Sequence, residues 1–118
     1  MKRLLAFPLF LLLATAAWAI PTVHQAALTW TQTTDTTVDH DCVYRGTVSG
    51  GPYTPIFCSA AKTPITAYLD LTVQGGQTYY YVTTAVDQNG EESAYSNEYK
   101  TVIPQTVLPN TNLQVASQ

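Results

Sequence analysis

The stretch Thr78–Asp87, TYYYVTTAVD, decides the fold. In an extended chain, Tyr79, Tyr81, Thr83 and Ala85 fall on one face and Tyr80, Val82, Thr84 and Val86 on the other. Nearly every residue is β-branched or aromatic, types that suit a pleated, half-buried surface. Gly75-Gly76 stops the chain before this run. Asn89-Gly90 follows it as a hairpin signal, because both residues accept positive φ. Tyr95–Ile103 then reads as the returning strand. Working back towards the N-terminus, Ala26, Leu28 and Trp30 alternate with Ala27, Thr29 and Thr31, predicting a strand over 25–32 with Trp30 facing in. Further strands are expected over 41–48, over 53–59 beyond the turn Ser49-Gly50-Gly51-Pro52, and over 66–73. A short one near Pro21–Val23 completes seven. No window of about 11 residues carries apolar positions at helical spacing. Short strands broken by turns every 8–12 residues or so make an all-β sandwich.

The first nineteen residues are a different kind of sequence. Lys2 and Arg3 open the chain, Leu4–Leu13 is apolar apart from Pro8, and Ala17-Trp18-Ala19 offers small residues at a cleavage point. This is the layout of a secretory signal peptide, cut after Ala19. A membrane anchor would need about 20 apolar residues, so contact with the membrane is expected only in transit. The reading implies a secreted protein, extracellular or periplasmic. Residues 20–104 form the module and 105–118, an uncharged stretch rich in Gln, Asn, Thr and Pro, a flexible tail.

Length and charge exclude much else. The 118 residues allow one domain, and 11% of them are charged, with 5 Lys+Arg against 8 Asp+Glu. Without its leader the chain keeps Arg45, Lys62 and Lys100 against all eight acids, a net charge of −5. No basic run exists to neutralise phosphates, so nucleic acid is not an expected partner. The two cysteines, Cys42 and Cys58, survive processing, and in an oxidising compartment they are expected to form one disulfide.

Three runs carry a family resemblance. Val43-Tyr44-Arg45-Gly46-Thr47 and Ser49-Gly50-Gly51-Pro52-Tyr53-Thr54 resemble the third strand and following turn of bacterial fibronectin type III domains. The run from Gly76 through Asp87, Asn89-Gly90-Glu91-Glu92-Ser93 and Tyr95-Ser96-Asn97-Glu98 is similar to the last two strands of the family, in the family's order and spacing. The resemblance covers about residues 22–104. It implies a seven-stranded immunoglobulin-like β-sandwich of the fibronectin type III type. In that fold Trp30 would be the core tryptophan of the second strand. Tyr79 would be the tyrosine-corner residue, its hydroxyl bonded back to the preceding connection.

Two features depart from the family. Cys42 and Cys58 are unusual in it; their numbers sum to 100, so a hairpin centred on Gly50 sets them opposite each other, within reach of a bridge. The second departure is the strand at 66–73. Alternation groups Leu69, Leu71 and Val73 on one face, while the family pattern turns Tyr68 inward. A bulge would reconcile the two; otherwise Leu69 and Leu71 are exposed and mark a partner surface.

The chemistry-bearing residues point away from catalysis. No G-x-S-x-G occurs, no free thiol is expected beside a histidine, and His40 between Asp39 and Asp41 lies at an ordinary polar junction. Asp87, Asn89, Glu91 and Glu92 place oxygen ligands close together, yet lack a full calcium-loop signature. No catalytic residue, cofactor or metal ligand is therefore assigned, and the chain is not expected to be an enzyme. Tyr79 and Tyr81 belong to the core by parity. Tyr44, Tyr80 and Val82 fall on the outward face, where Tyr95 and Tyr99 would join them. The expected contact surface is this face or the Leu69–Leu71 strand. The family implies a module that binds an extracellular protein or acts as a spacer or adhesion element. The alternatives are a module gripping a cell-envelope glycan through the outward tyrosines, and a self-associating structural subunit with poorly guarded strand edges.

Overall fold

The β-branched and aromatic run Thr78–Asp87 produces a strand with those bounds in the computed structural model, which describes residues 23–106 and 111–116. Six strands occur among the described residues: β1 (Ala26–Thr29), β2 (Val38–Gly46), β3 (Thr54–Cys58), β4 (Ala67–Asp70), β5 (Thr78–Asp87) and β6 (Tyr99–Val102). They form two antiparallel sheets, β1-β4 and β3-β2-β5-β6. The expected leader lies outside the described residues. So do Pro21 and Thr22 of the expected first strand, and Val23 belongs to no strand.

The core lies between the sheets. Ala26 and Leu28 from β1 meet Val43, Tyr79 and Tyr81 from the larger sheet, with Val73 and Ile103 closing one end. Trp30, Ile56 and Tyr68 pack against this cluster while remaining partly exposed. Trp30 extends the β1–β4 ladder, its N–H donating to Thr66 C=O at 3.0 Å.

β4 resolves the conflict at 66–73. Leu28 faces Tyr68 across the ladder and Ala27 faces Leu69, so Tyr68 turns inward and Leu69 outward. Asp70 is fully buried. Its Oδ1 accepts from Thr72 N–H at 2.9 Å and from Thr72 Oγ1 at 2.7 Å, an Asx turn that ends the strand. The turn resets the alternation: Leu71 is exposed and Val73 is buried, although two residues apart.

β6 begins four residues later than the expected Tyr95. The segment before it still runs beside β5, but not as a regular ladder. Ser93 N–H donates to Ala85 C=O at 2.8 Å and Ser96 N–H to Thr83 C=O at 2.9 Å. The reverse bonds go to side chains, Ala85 N–H to Ser93 Oγ and Thr83 N–H to Ser96 Oγ, both at 2.9 Å. Three residues thus span two on β5, so the segment bulges between the serines and throws Tyr95 onto the outward face.

Candidate functional site

Tyr44 leaves the outward face of β2 one step from Val43, which is fully buried on the other side. The Tyr95 ring lies between two others, 5.3 Å from Tyr44 at 68° and 5.2 Å from Tyr53 at 76°. Such edge-to-face geometry stabilises aromatic pairs. The Tyr44 hydroxyl donates to Glu92, which also accepts from Thr84 Oγ1 at 2.6 Å. The Tyr53 hydroxyl donates to Glu98, whose carboxylate also holds Ser49 Oγ at 2.8 Å and Gly50 N–H at 2.7 Å.

These bonds set the charges. The donation to Glu92 pushes the Tyr44 hydroxyl up to about 12, with burial adding to it. Donation from Thr84, then from Tyr44, holds Glu92 below its ordinary value. Tyr53, then Gly50 and Ser49, do the same for Glu98. The aromatic face is therefore a braced unit in which the Tyr44 and Tyr53 hydroxyls are already engaged.

Two expectations for this face need correction. Val82 is only 2% exposed. It sits across from Tyr44, under the segment that folds back along β5, and offers no contact surface. Tyr99 pairs with Tyr81, so it shares the inward parity of that residue and stands at the rim of the sandwich, not beside Tyr44. Tyr80 does hold the outward parity, half-buried opposite Gly46 and Lys100.

A charged cluster between the sheets carried no functional signal in the sequence. Asp70 Oδ2 accepts from Arg45 Nη1 and from the Tyr81 hydroxyl, each at 2.8 Å. Arg45 also donates to Thr72 Oγ1 at 2.8 Å, and its guanidinium lies 4.8 Å from the Tyr79 ring centre, a cation–π contact. Burial alone would raise the Asp70 carboxyl, but donations from Thr72, Tyr81 and Arg45 outweigh it and keep it low. Burial, reinforced by Asp70, drives the Tyr81 hydroxyl well up. The one legible hint was parity, since Arg45 alternates with Val43 and an inward charge demands a partner.

The remaining candidates serve the backbone. Tyr79 Oη accepts from Gln74 N–H at 3.1 Å. His40 Nδ1 lies 2.9 Å from Asp39 Oδ2. Asp41 points the other way and is buried, its Oδ2 accepting from Ile65 N–H at 2.8 Å and from Gln32 Nε2 at 3.2 Å. Asp87 Oδ1 caps its own turn through Asn89 N–H at 2.8 Å and Glu91 N–H at 2.9 Å. Among the described residues no group of three or more His, Cys, Asp or Glu side chains gathers as a metal site. Cys42 and Cys58 are joined, their Cα atoms 4.0 Å apart in register across β2 and β3.

What stays open is apolar surface. Leu69 is 45% exposed and Leu71 56%. On the opposite side of β4, Phe57 stacks on Tyr68 at 4.6 Å and 18°.

No family model matches the chain. Among curated proteins, 56 residues are 50% identical to part of an amylopullulanase from Thermoanaerobacter thermohydrosulfuricus, covering 48% of this chain and 4% of that protein. The fold is shared with the sixth fibronectin type III domain of human fibronectin type III domain containing protein 3, at TM-score 0.57 and 19% identity. That likeness covers 78% of this chain and 83% of that one. A crystal structure of an Fn3-like protein from Clostridium thermocellum is 37% identical, with TM-score 0.55, over 75% of this chain and 83% of that one. With two sheets in this order and a relative of that identity matched over most of its length, the chain belongs to the fibronectin type III family.

Proposed function

We propose that the chain is a non-catalytic accessory module, exported, that works by contact with an extracellular protein through the outer face of the β1-β4 sheet. The observation that carries this reading is the exposure of Leu69, on the outward side of β4, and of Leu71 just past its end. Single exposed leucines are common on protein surfaces. Two within three residues, Leu69 beside Ala27 and Leu71 just beyond the strand, put apolar side chains close together on this face. The tyrosine face supports contact less well, because the Tyr44 and Tyr53 hydroxyls are taken up by Glu92 and Glu98 and their rings pack on Tyr95. The likeness to a 4% portion of an amylopullulanase supports an accessory role over a catalytic one. The Cys42–Cys58 bridge and the leader-like N-terminus support export.

A photo-crosslinking residue at position 69 or 71 of the exported chain should capture a protein from the secreted fraction, and one at position 80 should not. Capture from position 80 alone would move the contact to the tyrosine face. Turnover of a substrate by the purified chain, lost on changing His40 or Glu92, would overturn the non-catalytic reading.

A further inference from the structure

The bulge before β6 opens a cleft on the flank of the sandwich, between β1 and the segment that returns along β5. It encloses about 230 Å³, lined chiefly by Thr29, Trp30, Thr83, Ser96, Asn97 and Tyr99. None of its lining residues carries a charge. A second hollow of about 140 Å³ shares Trp30, Thr83 and Ser96 with it and runs on towards Gln32 and Asp41. Together they make a groove along the open edge.

Two groups in the cleft have chemistry to spare, and a third lies buried beside them. Trp30 lines the cleft, and its Nε1 is buried and donates to nothing among the described residues. That atom has no surface open to a ligand, so it senses an occupant of the cleft without touching it. The Tyr99 side chain is 59% exposed at the mouth. Neither its hydroxyl nor the Asn97 side-chain amide bonds to another described residue, so both remain available to a ligand.

We propose that this groove binds a neutral hexose polymer, one sugar ring lying on Tyr99 with its hydroxyls taken up by Asn97, beside the Trp30 indole. The absence of charge in the lining of the main cleft favours a neutral ring there. An exposed aromatic ring beside a free amide matches a pyranose, which has an apolar face and a rim of hydroxyls. The volume is below the roughly 300–1,000 Å³ of pockets for larger ligands, so a single ring fills it and the polymer continues along the second hollow. An added peptide strand is the rival occupant. It would need free backbone groups, and on the β5 side Thr83 N–H and C=O are both engaged by Ser96, which leaves it only the edge of β1. The site is separate from the two leucines and does not depend on them.

The test follows the indole N–H resonance of Trp30 in the full chain carrying Trp18→Phe, which leaves one indole. Titration with maltohexaose, cellohexaose or mannohexaose should shift this resonance saturably, with a midpoint of about 1 mM, as one buried ring allows. Tyr99→Ala should weaken the response at least tenfold without moving the thermal midpoint appreciably. Leu69→Ser with Leu71→Ser should leave it unchanged, so the protein-contact reading stands or falls on its own. No response to any of the three saccharides overturns the proposal. A response that survives Tyr99→Ala does so too, as does a shift produced only by a neutral extended peptide.

Discussion

Tyr79 and Tyr81 stand two residues apart on the same face of β5, yet their hydroxyls do different work. Tyr79 accepts one backbone N–H at the end of the sandwich. Tyr81 donates to a buried carboxylate between the sheets. A hydrogen bond to a charged group contributes about 1.5–3 kcal/mol, against about 0.5–1.5 for a neutral one. Tyr81→Phe should therefore lower stability more than Tyr79→Phe, by about 1–2 kcal/mol, in urea denaturation monitored by fluorescence. Equal losses would show that Arg45 and Thr72 alone satisfy Asp70. The inward placing of both tyrosines could be read from alternation. Asp70 as the partner of Tyr81 could not, because nothing local to a strand reveals which charge will meet it across the core.

Elements were legible where one period governed them. β5 has its expected bounds because nearly every residue is β-branched or aromatic and turn residues flank it. β6 is shorter because Ser93 and Ser96 replace regular ladder bonds with their own hydroxyls, and a serine that takes the place of a backbone acceptor leaves no periodic mark. The cysteine register carries a similar lesson. Near the turn, Arg45 pairs with Thr54 and Tyr44 with Pro55, one position off a hairpin centred on Gly50. A bulge between Val43 and Tyr44 then inserts Ile56 and brings Cys42 opposite Cys58. The expected pairing is thus reached through an irregularity the numbering did not contain. Ser96→Ala removes the acceptor for Thr83 N–H at an exposed site, where water offers a partial substitute. It should cost about 0.5–1 kcal/mol and speed hydrogen exchange at the Thr83 amide selectively. Unchanged exchange there would mean that the serine only decorates the bulge.

Across the whole molecule, carboxylates tie together segments far apart in sequence. Glu98 holds the Ser49–Gly50 turn, Glu92 holds Tyr44, and Asp70 holds Arg45. All three sit below their ordinary values in the folded protein, Glu98 and Glu92 through the hydroxyl and amide donors around them, Asp70 because its donors outweigh burial. The sign follows from linkage. The unfolded chain takes up protons at the ordinary values, 4.5 for glutamate and 3.8 for aspartate, before the folded chain does. The stabilisation is therefore present above about pH 5 and is lost as pH falls through the ordinary range towards the folded values. The thermal midpoint should be level between pH 6 and pH 8, as far as these groups are concerned, and should drop steadily below pH 5. Glu92→Gln keeps an acceptor for Tyr44 and Thr84 but cannot take up the proton. Its midpoint at pH 7 should fall modestly, and the drop between pH 5 and pH 3 should be shallower than in the parent. An acid limb of undiminished slope in Glu92→Gln would locate the acid sensitivity in Asp70 and Glu98, and would reduce the Tyr44–Glu92 pair to a surface contact of little energetic weight.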